Sequence, residues 1–424
     1  MKKLSNTTKT LIALVLGGIF GIFLSVLPEN KFVQTYLLDG ILKLAGTGFL
    51  NAIKLIVVPL VFVSIVYATA SLDDLKKVGR IGGKTFIFYM LTTALAIILA
   101  LSIGGILKPG IGVDLAAIKA NEIATTANAT SVNFVDTLLN MIPTNIFAAF
   151  SEGNTLGIIF FALLLGLSIT AVGEKAQPLL TVFESANEVL LKLVQMIMHF
   201  APYGIFALLA TTFANFGFTA LMPLMKYVLT VLLGLALQLL VVYMGMLLFI
   251  GKLRPSIFLK KFAPIFNVCL STSSSSAALP LALEHSEASF GVSKKVSSFT
   301  LPLGATINMD GTAIMQGISV MFIAQIYGIH LGLNDYLMVI LSAVLASIGT
   351  AGVPGVGMIM LTMVLASVNL PLEGIALIMG VDRIIDMFRT AVNVAGDNVC
   401  TLLIAKNENE FDETVYNRMD NSDF

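Results

Sequence analysis

The sequence predicts an all-α polytopic membrane protein that carries two opposed re-entrant helical hairpins. Three observations predict it. The 424 residues are 57% hydrophobic and only 12% charged, with a mean hydropathy of +0.93, whereas a soluble domain carries about 25% charged residues. Long apolar runs alternate with small basic clusters, as membrane spans alternate with cytoplasmic loops. Two late apolar stretches are each interrupted at the centre by small and polar residues.

The basic clusters are Lys2, Lys3 and Lys9; Lys76, Lys77, Arg80 and Lys84; Lys252, Arg254, Lys260 and Lys261; and Lys294 with Lys295. The positive-inside rule places all of them, and both termini, on the cytoplasmic side. An apolar run from Leu11 to Leu27 follows the first cluster. A signal peptide is the alternative, but the run is long for a signal core and Pro28-Glu29-Asn30 is a poor cleavage site, so it reads as a retained first helix. A long helix over Asp39 to Ser71 returns, and a third over Lys84 to Leu107 exits. Lys108 to Asn133, rich in Ala, Thr, Asn and Gly, reads as an external loop; its Asn128-Ala-Thr130 sequon reads as unmodified. Phe134 to Val172 is interrupted at Pro143-Thr-Asn145 and Ser151-Glu-Gly-Asn154, which predicts several short helices, and Gln177 to Phe216 is a further apolar region. Met222 to Ile250 is a clear span, and the polar tail from Lys406 reads as a disordered cytoplasmic end.

Phe262 to Glu284 has Ser271-Thr-Ser-Ser-Ser-Ser276 at its centre, and Tyr336 to Leu370 has Gly349-Thr-Ala-Gly-Val-Pro-Gly355. Each is an apolar arm, a non-helical tip and a second arm. Arms of ~15 residues reach ~22 Å, too short for ~30 Å of hydrocarbon. Irregular backbone at that depth survives only inside protein or beside a wet cavity. Basic flanks put the ends of the first hairpin inside; those of the second, near His330 and Glu373, lack basic residues and belong outside. Opposed hairpins meeting at the midplane are a transporter arrangement. Between them, Asn308-Met-Asp-Gly-Thr312 interrupts an apolar helix, and Gly311 beside Asp310 predicts local unwinding.

The chemistry concentrates in the last apolar helix. Asp382, Asp386, Arg389, Asn393 and Asp397 recur every three or four residues and form one stripe, flanked by Thr390. Ionisable groups at bilayer depth cost at least ~2.5 kcal/mol each and mark functional sites by default. One guanidinium among carboxylates and amides suits a small zwitterion with cations. Arg389 can equally be an ion-pair partner of Asp386 or Asp382. Asp382 reads as charge balance for Arg383 or Arg389, and Arg383, about 100° off the stripe, as a snorkelling charge. Zero net charge shows no basic surface for nucleic acid. Cys269 and Cys400 suggest neither a disulfide framework nor a metal cluster, and His199, His285 and His330 lack metal-ligand spacing. No nucleophile–base–orienter set argues for an enzyme.

The serine-rich tip, the Asn-Met-Asp-Gly-Thr break, the Gly-Thr-Ala-Gly-Val-Pro-Gly tip and the Asp-Met-x-Arg-Thr-x-x-Asn-x-x-x-Asp helix occur in the order of the glutamate transporter homologues, the dicarboxylate/amino acid:cation symporters. The chain resembles that family strongly over Phe262 to Lys406. The resemblance implies eight transmembrane helices, two hairpins, a homotrimer in the plasma membrane and an elevator mechanism. The scaffold would be residues 1–83 and 134–216. The transport domain would be 84–107, 217–250, the first hairpin 251–290, the seventh helix 291–328, the second hairpin 329–372 and the eighth helix 373–406; 108–133 would be the external loop and 407–424 the cytoplasmic tail.

For the site, the resemblance implies that Arg389 holds the side-chain carboxylate of an acidic amino acid, Asp386 its ammonium, and Thr390 and Asn393 its backbone carboxylate. Thr312 would approach the substrate, and backbone at Ser275, Val353 and Gly357 would close on it. Sodium, the co-transported ion, would take three sites: Gly304, Asn308, Asn393 and Asp397; Thr306, Ser347, Ile348 and Thr350; and Tyr89, Thr92, Thr93, Asn308 and Asp310. The chain also departs from the family. Ser273 and Met387 stand where archaeal and animal members carry a second arginine, and Gln316 replaces the animal proton-carrying glutamate. The expected function is therefore sodium-coupled symport of aspartate or glutamate. The alternative is proton-coupled symport of glutamate, a C4-dicarboxylate or cystine.

Overall fold

The computed structural model describes residues 6–28, 31–70, 80–111, 142–152, 154–216, 221–348, 352 and 354–418. Most of the expected external loop, the sequon, Thr350 and Val353 lie outside the described residues. Among the described residues the chain is helical throughout, with one isolated β-bridge between Val292 and Phe411.

α1 spans Asn6–Val26. A π-helical stretch, Val33–Leu42, runs into α2, Lys43–Ala70, and α3 spans Arg80–Leu107. The interrupted region folds as α4, Ile146–Glu152, and α5, Thr155–Val172. Asn154 caps α5 by accepting from the Gly157 amide at 3.1 Å. α6 spans Gln177–His199 and α7 Ala201–Phe216. α8, Leu221–Leu237, continues through a π turn, Gln238–Tyr243, into α9, Met244–Phe249. Five stretches, beginning with Thr8–Val26, are long and apolar enough to cross a membrane. The long last helix is not among them, because the charges of its polar stripe, with Arg383, crowd its apolar half.

The two hairpins are α10, Pro255–Thr272, with α11, Ser275–Ala288, and α14, Leu333–Ile348, with α15, Val356–Ser367. Between them run α12, Lys294–Ile307, and α13, Asp310–Ile326. α16 spans Ile375–Asn407 and α17 Glu413–Asn417. Ser273, at φ 50°, ends α10 in the left-handed region, and the Ser274 hydroxyl caps α11. The same hydroxyl donates to the Gly352 carbonyl at 2.8 Å, which the Ser276 amide also reaches at 3.3 Å. The hairpins therefore meet tip to tip. Their bases lie at opposite ends: the first is tied to the residues beyond α16, and the second leads through Leu372–Gly374 into the start of α16.

Two expectations need correction, and one basic residue has an unexpected role. The helix break falls at Asn308 and Met309, whose backbones leave the helical region, while Gly311 is already inside α13. A Cβ at 311 would sit 2.6 Å from the Arg389 carbonyl, so this glycine serves close packing on α16. Lys261, in the third basic cluster, turns inward. It is 2% exposed and donates to the carbonyls of Ser289 at 2.7 Å and Val415 at 3.0 Å. The tail is ordered to residue 418. Glu408 accepts from Lys84 at 2.6 Å and pairs with Arg80, and Glu410 accepts from Lys295 at 2.9 Å. Phe411 bridges Val292, and the fully buried Tyr416 donates to the Arg254 carbonyl at 3.0 Å.

This strap joins α3, α12 and the base of the first hairpin to α16. Tyr416→Ala should cost roughly 3–5 kcal/mol, as truncation of a buried aromatic does, and should lower the thermal midpoint of the detergent-purified protein. The hydrogen bond from Arg80 and then that from Lys84 hold the Glu408 carboxyl below its usual range. A lowered native pKa stabilises above the unfolded value and is lost as pH falls through the native one. The strap should thus persist at neutral pH and loosen only below pH ~4.5. Glu408→Gln should reduce that acid sensitivity, the remainder coming from Glu410 and Asp412, which are held low by Lys295 and Thr414. Thermal midpoints measured between neutral and acidic pH check both.

Candidate functional site

Arg389 lies on the face of α16 turned to the hairpins and is 3% exposed. Its Nη1 donates to Asp382 Oδ1 at 3.3 Å and its Nη2 to Asp386 Oδ1. Asp386 Oδ2 also lies 3.5 Å from Arg383 Nη1. Arg383 is therefore a partly buried ion-pair member, not a snorkelling charge, because α1, α2, α6 and α7 enclose the cavity it lines. The geometry contains the ion pair that sequence alone allowed for Arg389. It also places the guanidinium against Gly357, where a Cβ would come within 2.8 Å of Arg389 Cζ. A side chain there would close the approach to Arg389 from the second hairpin.

Asn393 joins α16 to the broken helix. Its Oδ1 accepts from the Gly311 amide at 2.7 Å and its Nδ2 donates to Thr312 Oγ1 at 3.3 Å. Thr390 and Ser275 are buried nearby on α16 and at the start of α11, with Gly352 packed on the Cβ of Ser275. A cavity of about 300 Å³ reaches Asp382, Arg383 and Asp386 from the side of the tips at Thr272, Pro354 and Gly355.

Below Arg389, two carboxylates are buried among neutral oxygen and amide groups. Asn308 donates to Asp397 Oδ1 at 2.8 Å and to the Asn393 carbonyl at 3.1 Å, and Asp397 abuts Gly304. The first expected sodium set is thus brought together. Asp310, 0% exposed, accepts from Thr93 at 2.7 Å, with Thr92 beside it. Tyr89 is close but turned elsewhere: its hydroxyl donates to the Thr300 carbonyl at 3.0 Å. Of the remaining set, Ser347 and Ile348 are buried on the last turn of α14, Thr306 is exposed on α12, and Thr350 lies outside the described residues.

Sequence reasoning missed two partners of Asp310. Gln238 Nε2 donates to Asp310 Oδ2 at 3.1 Å and Tyr243 Oη donates to the same oxygen at 2.7 Å. The available signal was polar residues in the otherwise apolar run Met222 to Ile250. Among the described residues no group of three or more His, Cys, Asp or Glu could hold a metal, so a cation at either carboxylate would draw its other ligands from amides, hydroxyls and carbonyls.

The sequence profile of the sodium:dicarboxylate symporter family matches residues 7–407. The chain belongs to this family. It is 39% identical to a proton/glutamate-aspartate symporter of Escherichia coli (strain K12), over 97% of this chain and 94% of the relative. It is 37% identical to a proton/sodium-glutamate symport protein of Geobacillus stearothermophilus, over 97% of each. It is 33% identical to a C4-dicarboxylate transport protein of Bacillus subtilis (strain 168), over 97% of this chain and 96% of the relative. The chain thus resembles relatives named as glutamate or glutamate–aspartate symporters and one named as a C4-dicarboxylate transport protein.

Proposed function

We propose that this symporter-family chain carries acidic amino acids, aspartate or glutamate, across the plasma membrane together with sodium. The observation that carries the reading is Arg389, buried with two carboxylates at the meeting of two hairpin tips. A substrate carboxylate matches the guanidinium fork and can replace Asp382 and Asp386 on it. Asp386 is then released to take the substrate ammonium, with Thr390, Asn393 and Thr312 at the backbone carboxylate. A C4-dicarboxylate has no ammonium to offer Asp386, which favours the amino acid. Sodium is supported by the oxygen sets at Asp397 and Asp310, and by Gln316, which cannot carry a proton. The printed names of the relatives keep proton coupling as the second reading.

In this reading residues 1–83 and 134–216 are the scaffold, and the hairpins, α3, α8, α9, α12, α13 and α16 move as an elevator. The tip over 349–357, including Val353, is the substrate-side gate. A homotrimer is part of this reading: α6 is amphipathic, and Glu184, Glu188 and Lys192 on its exposed face would be covered by a neighbouring copy. The basic residues paired with Glu408 and Glu410 support a cytoplasmic location for that end, and the basic N-terminal sequence supports the same side for the N-terminus. The chain acts as a transporter, not an enzyme, and needs no organic cofactor. Uptake of labelled aspartate, glutamate and succinate into proteoliposomes, with sodium and proton gradients imposed separately, tests this. Saturable aspartate accumulation driven by sodium is expected; accumulation driven equally by protons in sodium-free buffer would establish the second reading.

A further inference from the structure

We propose that Gln238 is a cation ligand and sets the cation selectivity of the Asp310 site, an inference that rests on the sodium reading above. Gln238 sits on the π turn of the α8–α9 helix and is 0% exposed. π turns are rare and occur often at functional sites. Here the turn has a clear consequence: Gln238 and Tyr243, five residues apart, deliver two donors to one oxygen, Asp310 Oδ2. The amide orientation is fixed by that contact, since the nitrogen must face the carboxylate. The other end of the amide, Oε1, is buried and has no hydrogen-bond partner among the described residues.

A second buried amide oxygen, Asn308 Oδ1, is also without a partner among the described residues. Asn308 is tied through Nδ2 to Asp397, and Asn308 Nδ2 and Tyr243 Oη crowd the same Gly396. Each unpartnered oxygen thus belongs to an amide whose nitrogen is held by a buried carboxylate, Gln238 by Asp310 and Asn308 by Asp397, and Tyr243 joins the two groups by touching both Asp310 and Gly396. Buried polar atoms without partners are costly, and a fold that keeps two of them beside carboxylates has a use for them. Neutral amide oxygens next to one carboxylate form a hard, weakly charged set. That set suits a small monovalent cation, and the number and spacing of its oxygens decide which one. Asp310 supplies the charge, and Gln238 supplies an oxygen whose position depends on the π turn. A leucine or methionine would pack equally well in the apolar run but would give the cation no oxygen.

Thermal stability of the detergent-purified full-length protein, titrated with sodium or lithium in a choline background, tests this without transport. Ligand binding raises the midpoint temperature by mass action. For Gln238→Met the sodium concentration giving half of the maximal rise in Tm is expected to increase at least tenfold, roughly the loss of one good ligand. The lithium-to-sodium ratio of half-saturating concentrations should change as well, which a purely structural defect would not produce. Gln238→Asn keeps the amide but withdraws it by one methylene; it should shift both quantities in the same direction, and it serves if the methionine variant is not monodisperse. If the wild type responds to sodium and a folded variant shows the same half-saturation and the same ratio, the inference is overturned alone. If the wild type shows no sodium response in stability or uptake, the sodium reading falls and takes this inference with it.

Discussion

Arg389→Ala is expected to abolish aspartate and glutamate uptake while leaving a protein that still purifies as a monodisperse species. Losing a buried charge-assisted pair costs roughly 2–5 kcal/mol when the partner charge stays behind, or roughly 30- to 5,000-fold in apparent substrate affinity. Two effects must be separated. Arg389 also neutralises Asp382 and Asp386 within α16, and removing one member of a buried ion pair destabilises a fold by itself. Arg389→Lys separates them: it keeps the charge for the two carboxylates but loses the two-pronged geometry. It should fold like the wild type and raise the KM for aspartate by at least tenfold. Uptake by either variant at the wild-type KM would remove Arg389 from the substrate site and leave it as an internal counter-ion.

The parts of this molecule that were legible in sequence share one property: the interacting residues repeat on one helix or interrupt one helix. The α16 stripe is a period of three and four, and the paired Arg389, Asp382 and Asp386 all fall on it. The hairpins were legible because their arms are too short to span and their tips are polar, and Ser274 and Gly352 do meet. What escaped was set by distance along the chain. Gln238 and Tyr243 lie 72 and 67 residues from Asp310, and a single glutamine in an apolar run names no partner. The tail looked disordered because its composition is polar. Its order comes from Arg80, Lys84, Lys295 and Lys261, more than a hundred residues away. The burial of Lys261 is hidden for the same reason, since local charge does not reveal that two distant carbonyls receive it. The helix break was placed at Gly311 on conformational freedom, but that glycine is there for space against α16.

The second large effect is expected at Asp310. Asp310→Asn removes one negative charge from a fully buried site and should leave the packing intact. Oδ2 of Asp310 receives two donors, from Gln238 and Tyr243, and Oδ1 receives one from Thr93. The new amide nitrogen can take the place of Oδ2 if the Gln238 side chain turns over and presents Oε1, while the Tyr243 hydroxyl rotates to accept. The oxygen of the new amide then keeps the Thr93 bond. The turned Gln238 Nε2 then occupies the place where Oε1 has no partner among the described residues, and the Tyr243 hydroxyl hydrogen loses its acceptor. The variant should therefore fold but with a lower Tm in the absence of sodium. A cation bound there loses the charge that compensates its dehydration, and two unit charges about 4 Å apart interact by about 4 kcal/mol at an effective dielectric constant of 20. Part of that is returned because the carboxylate no longer has to be desolvated, so the half-saturating sodium concentration should rise roughly 10- to 100-fold, at 1.4 kcal/mol per tenfold. Coupling between two sites is reciprocal, so the apparent aspartate affinity at fixed sodium should fall by a similar factor and recover as sodium is raised. Sodium titrations of aspartate uptake and of Tm measure both. Unchanged sodium dependence with wild-type aspartate affinity would show that Asp310 is a structural acceptor for α3 and the π turn, and cation coupling would then have to rest on Asp397 and Asn308 alone.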